Sequence, residues 1–485
     1  MAGRFLSLFK PVARALPEIK APERRVRFNE KIFWTALVLV IFLVMSEVPL
    51  FGGTSSALGQ LTALRVIFAS TRGTLMELGI GPIVTGGLIL QLLIGSNMIE
   101  ADMNNPEDRG LFTTANKVFS ILLTGVQASA YIIGGMYGTL AGTAAILIFL
   151  QLMAAGIIVL LLDELVQKGW GFGSGISLFI MAGVAQKVFL SCFYASPSVD
   201  QFGSSGVFIA LAQTLSNPKI PLLNIIARLP ATAQGTQYPS IVGFLATVGA
   251  FLVVIYMEGV KLELPLSYAG YKGYRSRYPI KLLYVSNLPV IFASALFANV
   301  YFFSQILWNS YNNTNANFWL NLLGQFRTYT PSGSTTPQII PSGGLVYYVT
   351  APRNFLQIMG DPGQAFGYLG ILVVFCVVFS LTWLEVGGLG PSTVAQQLVD
   401  SGMQIPGYRR SGKAIESILK RYIPAVTVIG GIIVGLVAGI TDFFGVFGSG
   451  MGILLSVGII YQYYETLMQE RAAEMYPAFR RIFGE

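Results

Sequence analysis

Gly171-Phe-Gly-Ser-Gly-Ile-Ser-Leu-Phe-Ile180 and Val446-Phe-Gly-Ser-Gly-Met-Gly-Ile-Leu-Leu455 share the tetrapeptide Phe-Gly-Ser-Gly, and each begins a long apolar run. A helix of about 17 to 25 apolar residues is long enough to cross a hydrocarbon core of roughly 30 Å. Both stretches therefore predict the start of a membrane span.

Ten such runs occur along the chain, and the two stretches above begin the fifth and the tenth. Their number and composition predict an all-α, polytopic membrane protein. The predicted spans are Phe33 to Phe51, Leu75 to Met98, Val118 to Met136, Ala144 to Leu162, Ile176 to Phe193, Ile241 to Met257, Leu288 to Trp308, Ala365 to Trp383, Ile423 to Thr441 and Phe447 to Tyr464.

The composition excludes a water-soluble fold. Of the 485 residues, 53% are hydrophobic and 11% are charged, whereas a soluble protein carries about 25% charged residues. The absence of histidine excludes Ser-His-Asp and Cys-His catalytic sites, histidine zinc sites and histidine haem ligands. Cys192 and Cys376 are the two cysteines, and each lies in an apolar run. We therefore expect no disulfide framework, no metal site and no cofactor.

The chain has an internal repeat of five spans. Besides the shared Phe-Gly-Ser-Gly, the second span contains Gly81-Pro-Ile-Val84 and the seventh Leu288-Pro-Val-Ile291. Because five is an odd number, the two halves must have opposite topology, and the functional path of such folds usually lies between them. We expect an amino-terminal half at residues 1–194, an external connecting segment at 195–240 and a carboxy-terminal half at 241–485.

Basic residues predict the orientation in the membrane. They concentrate in the amino-terminal segment and in the loops after the sixth and eighth spans, which lie on one side of a ten-span protein. By the positive-inside rule, this side and both termini are cytoplasmic. The two basic loops suit an RNA-rich or acidic partner, although the rule explains their charge without any partner. On the opposite side, the longest segment, 309–361, contains the glycosylation sequon Asn312-Asn313-Thr314.

A short apolar segment, Leu61 to Ser70, follows the first span and is too short to cross the membrane. Two interpretations fit it. It is either a re-entrant half-helix or a surface helix in an external loop. The first would imply a cavity, because non-helical backbone at membrane depth needs protein or water around it.

The positions of the acidic residues argue against an ion-coupled transporter. The acidic residues all fall near span ends, so the midplane lacks the charge that an ion-coupled transporter would need: Glu47, Asp163, Glu164, Glu258, Glu385 and Asp442. Four neutral polar residues are typical of hydrogen bonds between packed helices: Thr85, Gln91, Gln127 and Asn299. In the ninth span, Gly431, Gly435 and Gly439 are spaced four apart and predict close helix packing.

A series of motifs extends in order over nearly the whole chain. They are Leu16-Pro-Glu18, Pro22-Glu-Arg24, Val48-Pro-Leu-Phe-Gly52, Arg72-Gly-Thr-Leu-Met-Glu-Leu-Gly79, Leu160-Leu-Leu-Asp-Glu-Leu165, Gly173-Ser-Gly-Ile-Ser-Leu-Phe179, Tyr278-Pro-Ile-Lys-Leu282, Thr382-Trp-Leu-Glu385, Arg421-Tyr-Ile-Pro424 and Gly448-Ser-Gly450. With these motifs the chain resembles the channel-forming α-subunit of the Sec protein translocon in its archaeal and eukaryotic form, called SecY in archaea. The loop at 196–239 and the external segment at 309–361 depart from the eukaryotic pattern.

The resemblance implies ten transmembrane helices in two inverted halves around a central pore, with a re-entrant plug helix at Leu61 to Ser70. The pore would be closed by a ring of aliphatic side chains, Ile80, Val84, Ile176, Ile180, Ile291 and Leu455. The plug would present Leu61, Leu64, Arg65, Ile67 and Phe68. A lateral gate, formed by the second and third spans facing the seventh and eighth, would be lined by Thr85, Gln91, Gln127 and Asn299. The ribosome-binding surface would contain Lys272, Arg275, Arg277, Arg409, Arg410 and Lys413.

The expected function is that of a protein-conducting channel, which passes unfolded secretory chains across the membrane and releases apolar segments into lipid. An apolar collar offers no fixed hydrogen bonds to a passing chain, and it resists ions by dewetting when it is empty. We expect no enzymatic activity. The expected partners are small SecE/γ-type and β-type membrane subunits, the ribosome, nascent polypeptides with their signal sequences, and the lipid bilayer. An inverted-repeat secondary transporter is the alternative function. The divergent external loops favour an archaeal plasma membrane over the endoplasmic reticulum.

Overall fold

The computed structural model describes residues 5, 9–13, 16–24, 26–52, 71, 73–95, 99, 106–133, 137, 142–195, 206–216, 226, 228, 239–268, 275–283, 285, 288–329, 338–352, 355–400, 403–404 and 412–475. The elements, contacts and distances below are those of this part of the chain. The predicted plug residues Leu61, Leu64, Arg65, Ile67 and Phe68 lie outside it, as do Lys272, Arg409 and Arg410 of the loops after α6 and α8.

Ten long helices account for the ten predicted spans. They are α1 (Phe28–Glu47), α2 (Gly81–Gly95), α3 (Pro106–Ile133), α4 (Gly142–Leu165), α5 (Gly175–Phe193), α6 (Ile241–Gly259), α7 (Leu288–Tyr311), α8 (Pro362–Val386), α9 (Gly412–Phe443) and α10 (Gly450–Met475). A π-helical turn, Val166–Trp170, extends α4.

By length and composition, seven of these helices can cross a membrane unaided, namely all except α2, α3 and α10. Helix α2 has only 15 residues, while α3 and α10 are long but more polar. The predicted second span began at Leu75, upstream of the helix. This start was wrong because Gly79 has a φ of +56°, a left-handed backbone that a helix does not contain, and α2 begins beyond it next to Pro82.

Two small sheets outside the membrane were not predicted. In the loop after α6, β1 (Lys261–Tyr268) pairs antiparallel with β2 (Arg275–Lys281), and Ser267 and Tyr268 also pair with β5 (Met403–Gln404) in the loop after α8. The external segment contains the hairpin of β3 (Gln325–Tyr329) and β4 (Gln338–Gly343). Six short helices complete the described structure: Lys10–Ala13, Val207–Ser216, Phe318–Leu323, Leu345–Val349, Phe355–Gly360 and Pro391–Asp400.

The three glycines of α9 pack against α8, as predicted. A Cβ atom at Gly435 would lie 2.8 Å from the Cα of Val373, and one at Gly431 would lie 3.1 Å from the Cα of Val377. One at Gly439 would meet the side chain of Leu369 at 2.5 Å. Small residues at this spacing let the two backbones approach closely, which maximises van der Waals contact where no water is available to drive association.

The repeated Phe-Gly-Ser-Gly forms the same kind of junction twice. In each half, a carboxylate at the end of one helix accepts a hydrogen bond from the first turn of the next. Asp163 Oδ1 accepts from the amide of Ile176 at 2.9 Å, and Asp442 Oδ1 accepts from the amide of Gly450 at 2.6 Å. An acceptor there satisfies an N–H group that the helix itself leaves unpaired. Each copy of Phe-Gly-Ser-Gly therefore lies where an acidic residue of one helix holds the first turn of the next.

Glycine is required at both junctions because the preceding helix passes so near. A Cβ atom at Gly175 would lie 2.6 Å from the Cα of Asp163, and one at Gly450 would lie 2.1 Å from the carbonyl oxygen of Ala438. Both distances are shorter than any real Cβ contact. The two junctions fix where α5 and α10 begin.

Candidate functional site

The six residues predicted for the pore ring lie in one apolar cluster. Four of them are buried: Ile80, Val84, Ile180 and Leu455 are 0%, 7%, 1% and 0% exposed. Ile176 and Ile291 are half-buried and pack against the same cluster. The members come from both halves of the chain, since α2 and α5 belong to the first and α7 and α10 to the second. The structure therefore places the six predicted residues in or against one apolar cluster that draws on both halves, while the ring and its role as a seal stay predictions.

The local structure explains how the ring residues are positioned. Ile80 lies one turn before Val84, and its carbonyl oxygen accepts a hydrogen bond from the amide of Val84 at 3.1 Å. Ile176 and Ile180 are four residues apart at the start of α5, so they share one helix face. Leu455 lies five residues after Gly450, in the second turn of α10. Both α5 and α10 begin at the carboxylate-held junctions described above.

The two ends of the loop that contains the predicted plug segment are joined to each other. The amide of Leu50 donates to the carbonyl oxygen of Gly73 at 2.8 Å, and the amide of Leu75 donates to that of Val48 at 3.0 Å. Pro49 and Thr74 thus form an isolated antiparallel bridge. The chain leaves α1 and returns toward Ile80 through this bridge, so both ends of the segment are tied to one point.

Helices α2 and α7, which belong to opposite halves, contact each other through polar side chains. We call the predicted boundary between α2 and α3 on one side and α7 and α8 on the other the seam. Asn299 of α7 donates through Nδ2 to Thr85 Oγ1 of α2 at 3.3 Å, and also to the carbonyl oxygen of Ala295 at 2.9 Å. Of the four residues predicted to line the gate, Thr85 and Asn299 are therefore joined directly by a hydrogen bond.

Gln91 lies further along the same seam. It lines a small pocket together with two leucines of α2 and four residues of α7 and α8: Leu88, Leu92, Phe292, Phe379, Thr382 and Trp383. The Oε1 atom of Gln91 is buried and has no hydrogen-bond partner among the described residues. An unpaired buried amide oxygen costs about 1–3 kcal/mol, so the closed seam contains a destabilising polar atom.

Sequence reasoning missed the aromatic side of this seam. The ring of Phe292 lies 6.0 Å from that of Phe379 and 5.6 Å from that of Trp383. Aromatic pairs at such distances stabilise helix contacts. The spacing of Phe379 and Trp383 by four residues was the available signal, but it is equally typical of an ordinary packed helix face.

The structure describes three of the six predicted ribosome-binding residues, Arg275, Arg277 and Lys413. Arg277 and Lys413 are described and exposed. Arg277 forms an ion pair with Glu263 across the β1–β2 hairpin. Arg275 opens β2 opposite Ser267 in the register. Because β5 joins the same sheet, the loops after α6 and α8 are held together on one face.

A network of charges ties the amino-terminal segment to the carboxy-terminal end of α4. Glu164 is buried, 2.6 Å from the Nζ of Lys117 and 2.8 Å from that of Lys168. Lys168 also contacts Glu18 at 2.5 Å. The hydrogen bond from Lys168, followed by its positive charge, lowers the pKa of Glu18. The indole of Trp170 adds a second contact by donating to the carbonyl oxygen of Lys20 at 2.9 Å.

Comparisons with known proteins agree with this geometry. The SecY family profile matches residues 74–464, and the profile of the plug domain of Sec61p matches residues 40–73. The protein transport protein Sec61 subunit alpha of Dictyostelium discoideum is 42% identical over 475 residues, which cover 97% of this chain and 98% of the relative.

Two solved structures show the same fold. One is a protein-conducting channel, with 34% identity and a TM-score of 0.79, and the match covers 96% of this chain and 98% of that one. The other is Sec61 in the canine ribosome-channel complex from the endoplasmic reticulum, with 33% identity, a TM-score of 0.77 and the same coverage. The chain is an integral, multi-pass membrane protein, and it belongs to the SecY family.

Proposed function

We propose that this chain is the central channel-forming subunit of a protein translocase. Unfolded polypeptides would pass between its two halves, and apolar segments would leave sideways into lipid. The observation that carries the proposal is that six aliphatic residues, from the start of α2 and from α5, α7 and α10, lie in or against one apolar cluster that draws on both halves. A collar built from both halves can open when the halves part, and it seals by excluding water when they close.

The polar contact between Thr85 and Asn299 supports a lateral gate. A single hydrogen bond between helices in lipid is worth on the order of 1 kcal/mol. This seam also holds the unpaired oxygen of Gln91, and hydration of that oxygen favours separation of the helices. We infer that α2 and α3 part from α7 and α8 here.

We infer that the halves are residues 1–194 and 241–485, hinged through residues 195–240. The short helix Val207–Ser216 supports this division. Its Phe208 ring lies 5.4 Å from Phe193 of α5 and 5.2 Å from Phe244 of α6. These contacts bridge the last helix of one half and the first helix of the other at their external ends.

The cytoplasmic sheet supports a ribosome as a partner. By joining β1, β2 and β5, it presents the two basic loops as one surface, as binding to a phosphate-rich partner requires. We infer that small SecE/γ-type and β-type subunits, nascent chains and lipid are the other partners. We also infer that the chain has no enzymatic activity, and that energy for transport comes from a partner.

The finer localisation follows from the relatives. Identity of 42% to a Dictyostelium protein, and a structural match to a channel from the endoplasmic reticulum, now outweigh the divergent loops that favoured an archaeon. We propose the endoplasmic reticulum membrane, with both termini in the cytoplasm.

A stalled translocation intermediate tests the channel proposal. A secretory chain carrying one cysteine is arrested in proteoliposomes that contain the Ile180→Cys variant, and disulfide formation is scored. Crosslinking is expected with Ile180→Cys and not with Ile158→Cys, a matched control on the lipid-facing side of α4, where Ile158 is 42% exposed. The native cysteines are both buried, so they contribute little background. Equal crosslinking at both positions, or none at Ile180→Cys during active transport, would contradict the proposed path.

A further inference from the structure

The external segment between α7 and α8 has few charges for a surface in contact with water. Its 53 residues, 309–361, contain three charged side chains, Arg327, Arg353 and Asp361. A water-exposed segment has roughly a quarter of its residues charged. The surface of the segment is therefore made mainly of uncharged polar and apolar residues.

The short helix Phe318–Leu323 has its apolar side turned outward. Phe318 is 73% exposed, Trp319 81% and Leu322 63%, and no residue of the helix is buried. Burying one such side chain fully is worth about 1.5–3 kcal/mol. Three together on one turn leave a substantial driving force unused in water.

The polar side of the same helix faces inward and is hydrogen-bonded. Asn321 accepts from the Nδ2 of Asn312 at 2.8 Å and donates to the carbonyl oxygen of Asn315 at 2.8 Å. Asn315 in turn accepts from the indole of Trp308 in α7 at 2.8 Å. A helix in water has the opposite arrangement, with polar residues outside. The asparagine network thus holds the aromatic side chains in an outward position.

The ends of the two neighbouring spans also carry large exposed aromatic side chains. Tyr311 ends α7 and is 74% exposed, and Phe366 lies in the first turns of α8 and is 71% exposed. Between them, the helix Leu345–Val349 packs on α8, since a Cβ atom at Gly367 would lie 2.5 Å from the ring of Tyr348. Its preceding residue, Gly344, packs against the carbonyl oxygen of Asn321.

We propose that the helix Phe318–Leu323 is an interfacial anchor that lies in the headgroup region of the external leaflet. Phe318, Trp319 and Leu322 insert among the lipids, and the asparagine network transmits this position to the end of α7. Aromatic side chains are enriched at this depth of a membrane because they have an apolar body and, in Trp, a polar N–H group. The anchor fixes the depth of α7, which carries Ile291 and Asn299.

Site-specific fluorescence tests the anchor in the full-length chain. Cys192 and Cys376 are replaced by alanine, one new cysteine is labelled with an environment-sensitive fluorophore, and the protein is placed in lipid nanodiscs. Trp319→Cys and Leu322→Cys report on the helix. Thr328→Cys is the matched control, because Thr328 is exposed on the neighbouring strand β3. Near-native thermal stability of each labelled variant shows that it is folded.

The expected result is quenching at positions 319 and 322 by lipids that carry a nitroxide near the headgroup, with protection from aqueous iodide. Position 328 should show the reverse. Iodide quenching at 319 equal to that at 328 would overturn the proposal, because the helix would then face water. Protection from both quenchers would also overturn it, because a protein surface rather than lipid would cover the helix.

Discussion

The carboxylate of Asp442, at the end of α9, accepts a hydrogen bond from the amide of Gly450, which begins α10, at a distance of 2.6 Å. The second carboxylate oxygen accepts from the hydroxyl of Tyr368 in α8 at 3.0 Å. One acid thus connects three helices of the carboxy-terminal half around the start of the helix that carries Leu455.

Removing this acceptor should destabilise the pore side of α10. Asp442→Ala is expected to lower the free energy of unfolding by about 0.5–2 kcal/mol, the range for a lost helix cap. Asp442→Asn should lose less, because its amide oxygen still accepts from Gly450. Thermal unfolding in detergent measures both. Equal losses for the two variants would show that hydrogen bonding is not the reason for the acid.

The glycine of the same junction should tolerate no side chain. Gly450→Ala places a Cβ atom 2.1 Å from the carbonyl oxygen of Ala438, so the junction must shift and expression or stability should fall sharply. Gly249→Ala, in α6, is the matched control because nothing lies within 4 Å of that position. A Gly450→Ala variant as stable as Gly249→Ala would disprove the close approach.

Polar substitution in the ring should make the resting channel leak. Ile80→Ser and Leu455→Ser replace side chains that are fully buried in the collar, and smaller polar groups let water wet it. Ion conductance in planar bilayers should rise for both variants and not for Ile158→Ser on the lipid side of α4. Unchanged conductance in both ring variants would remove these residues from the seal.

The contact between Thr85 and Asn299 should set how easily the seam parts. Thr85→Val and Asn299→Leu are expected to show a coupling of about 1 kcal/mol in a double-mutant cycle. The membrane integration of a marginally apolar test segment would change by about fivefold. Gln127→Leu combined with Asn299→Leu should be additive. A graded series of segments, scored for integration, measures this. Additive behaviour for Thr85 and Asn299, with a lower melting temperature, would indicate packing alone.

The amino-terminal segment should loosen in acid. Lys168 lowers the pKa of Glu18 from 4.5, so the charged form is favoured in the folded state. The stability that this pair contributes is present above the ordinary pKa and is lost as the pH falls through the lowered value. Hydrogen exchange of residues 16–24 should rise below about pH 4.5, and Glu18→Gln should raise it at neutral pH. Glu23→Gln, a change of an exposed acid on the same segment, should not.

The sequon at Asn312 should remain unmodified despite its external position. Asn312 is 2% exposed, its Nδ2 donates to Asn321 at 2.8 Å and its Oδ1 accepts from the amide of Asn317 at 3.0 Å. Thr328→Asn, followed in the chain by Tyr329 and Thr330, creates a new sequon at an exposed position and provides the control. Endoglycosidase should shift the mobility of this variant and not of the parent. A glycosylated parent would contradict the burial, and an unmodified Thr328→Asn variant would contradict the orientation.

The spans were predictable because their signal is local, whereas pairing between distant segments was not. Apolar runs identified all ten helices, and the repeated tetrapeptide marked the two junctions. Strand β5 pairs with β1 across more than a hundred residues of sequence, and no local pattern specifies that contact. Helix spacing likewise placed Asn299 on a face of α7. It did not indicate that Thr85, rather than Gln127, would be its neighbour, because that depends on how two helices cross.

The bridge between Pro49 and Thr74 has a mechanical consequence. The bridge closes the loop that contains the proposed plug segment. Both ends of this loop belong to the amino-terminal half: one follows α1, and the other precedes α2. In the proposed opening, in which the two halves part, the distance between these two ends would not change. The proposed plug segment is therefore attached to the amino-terminal half alone, and its displacement by a translocating chain would not require this bridge to break.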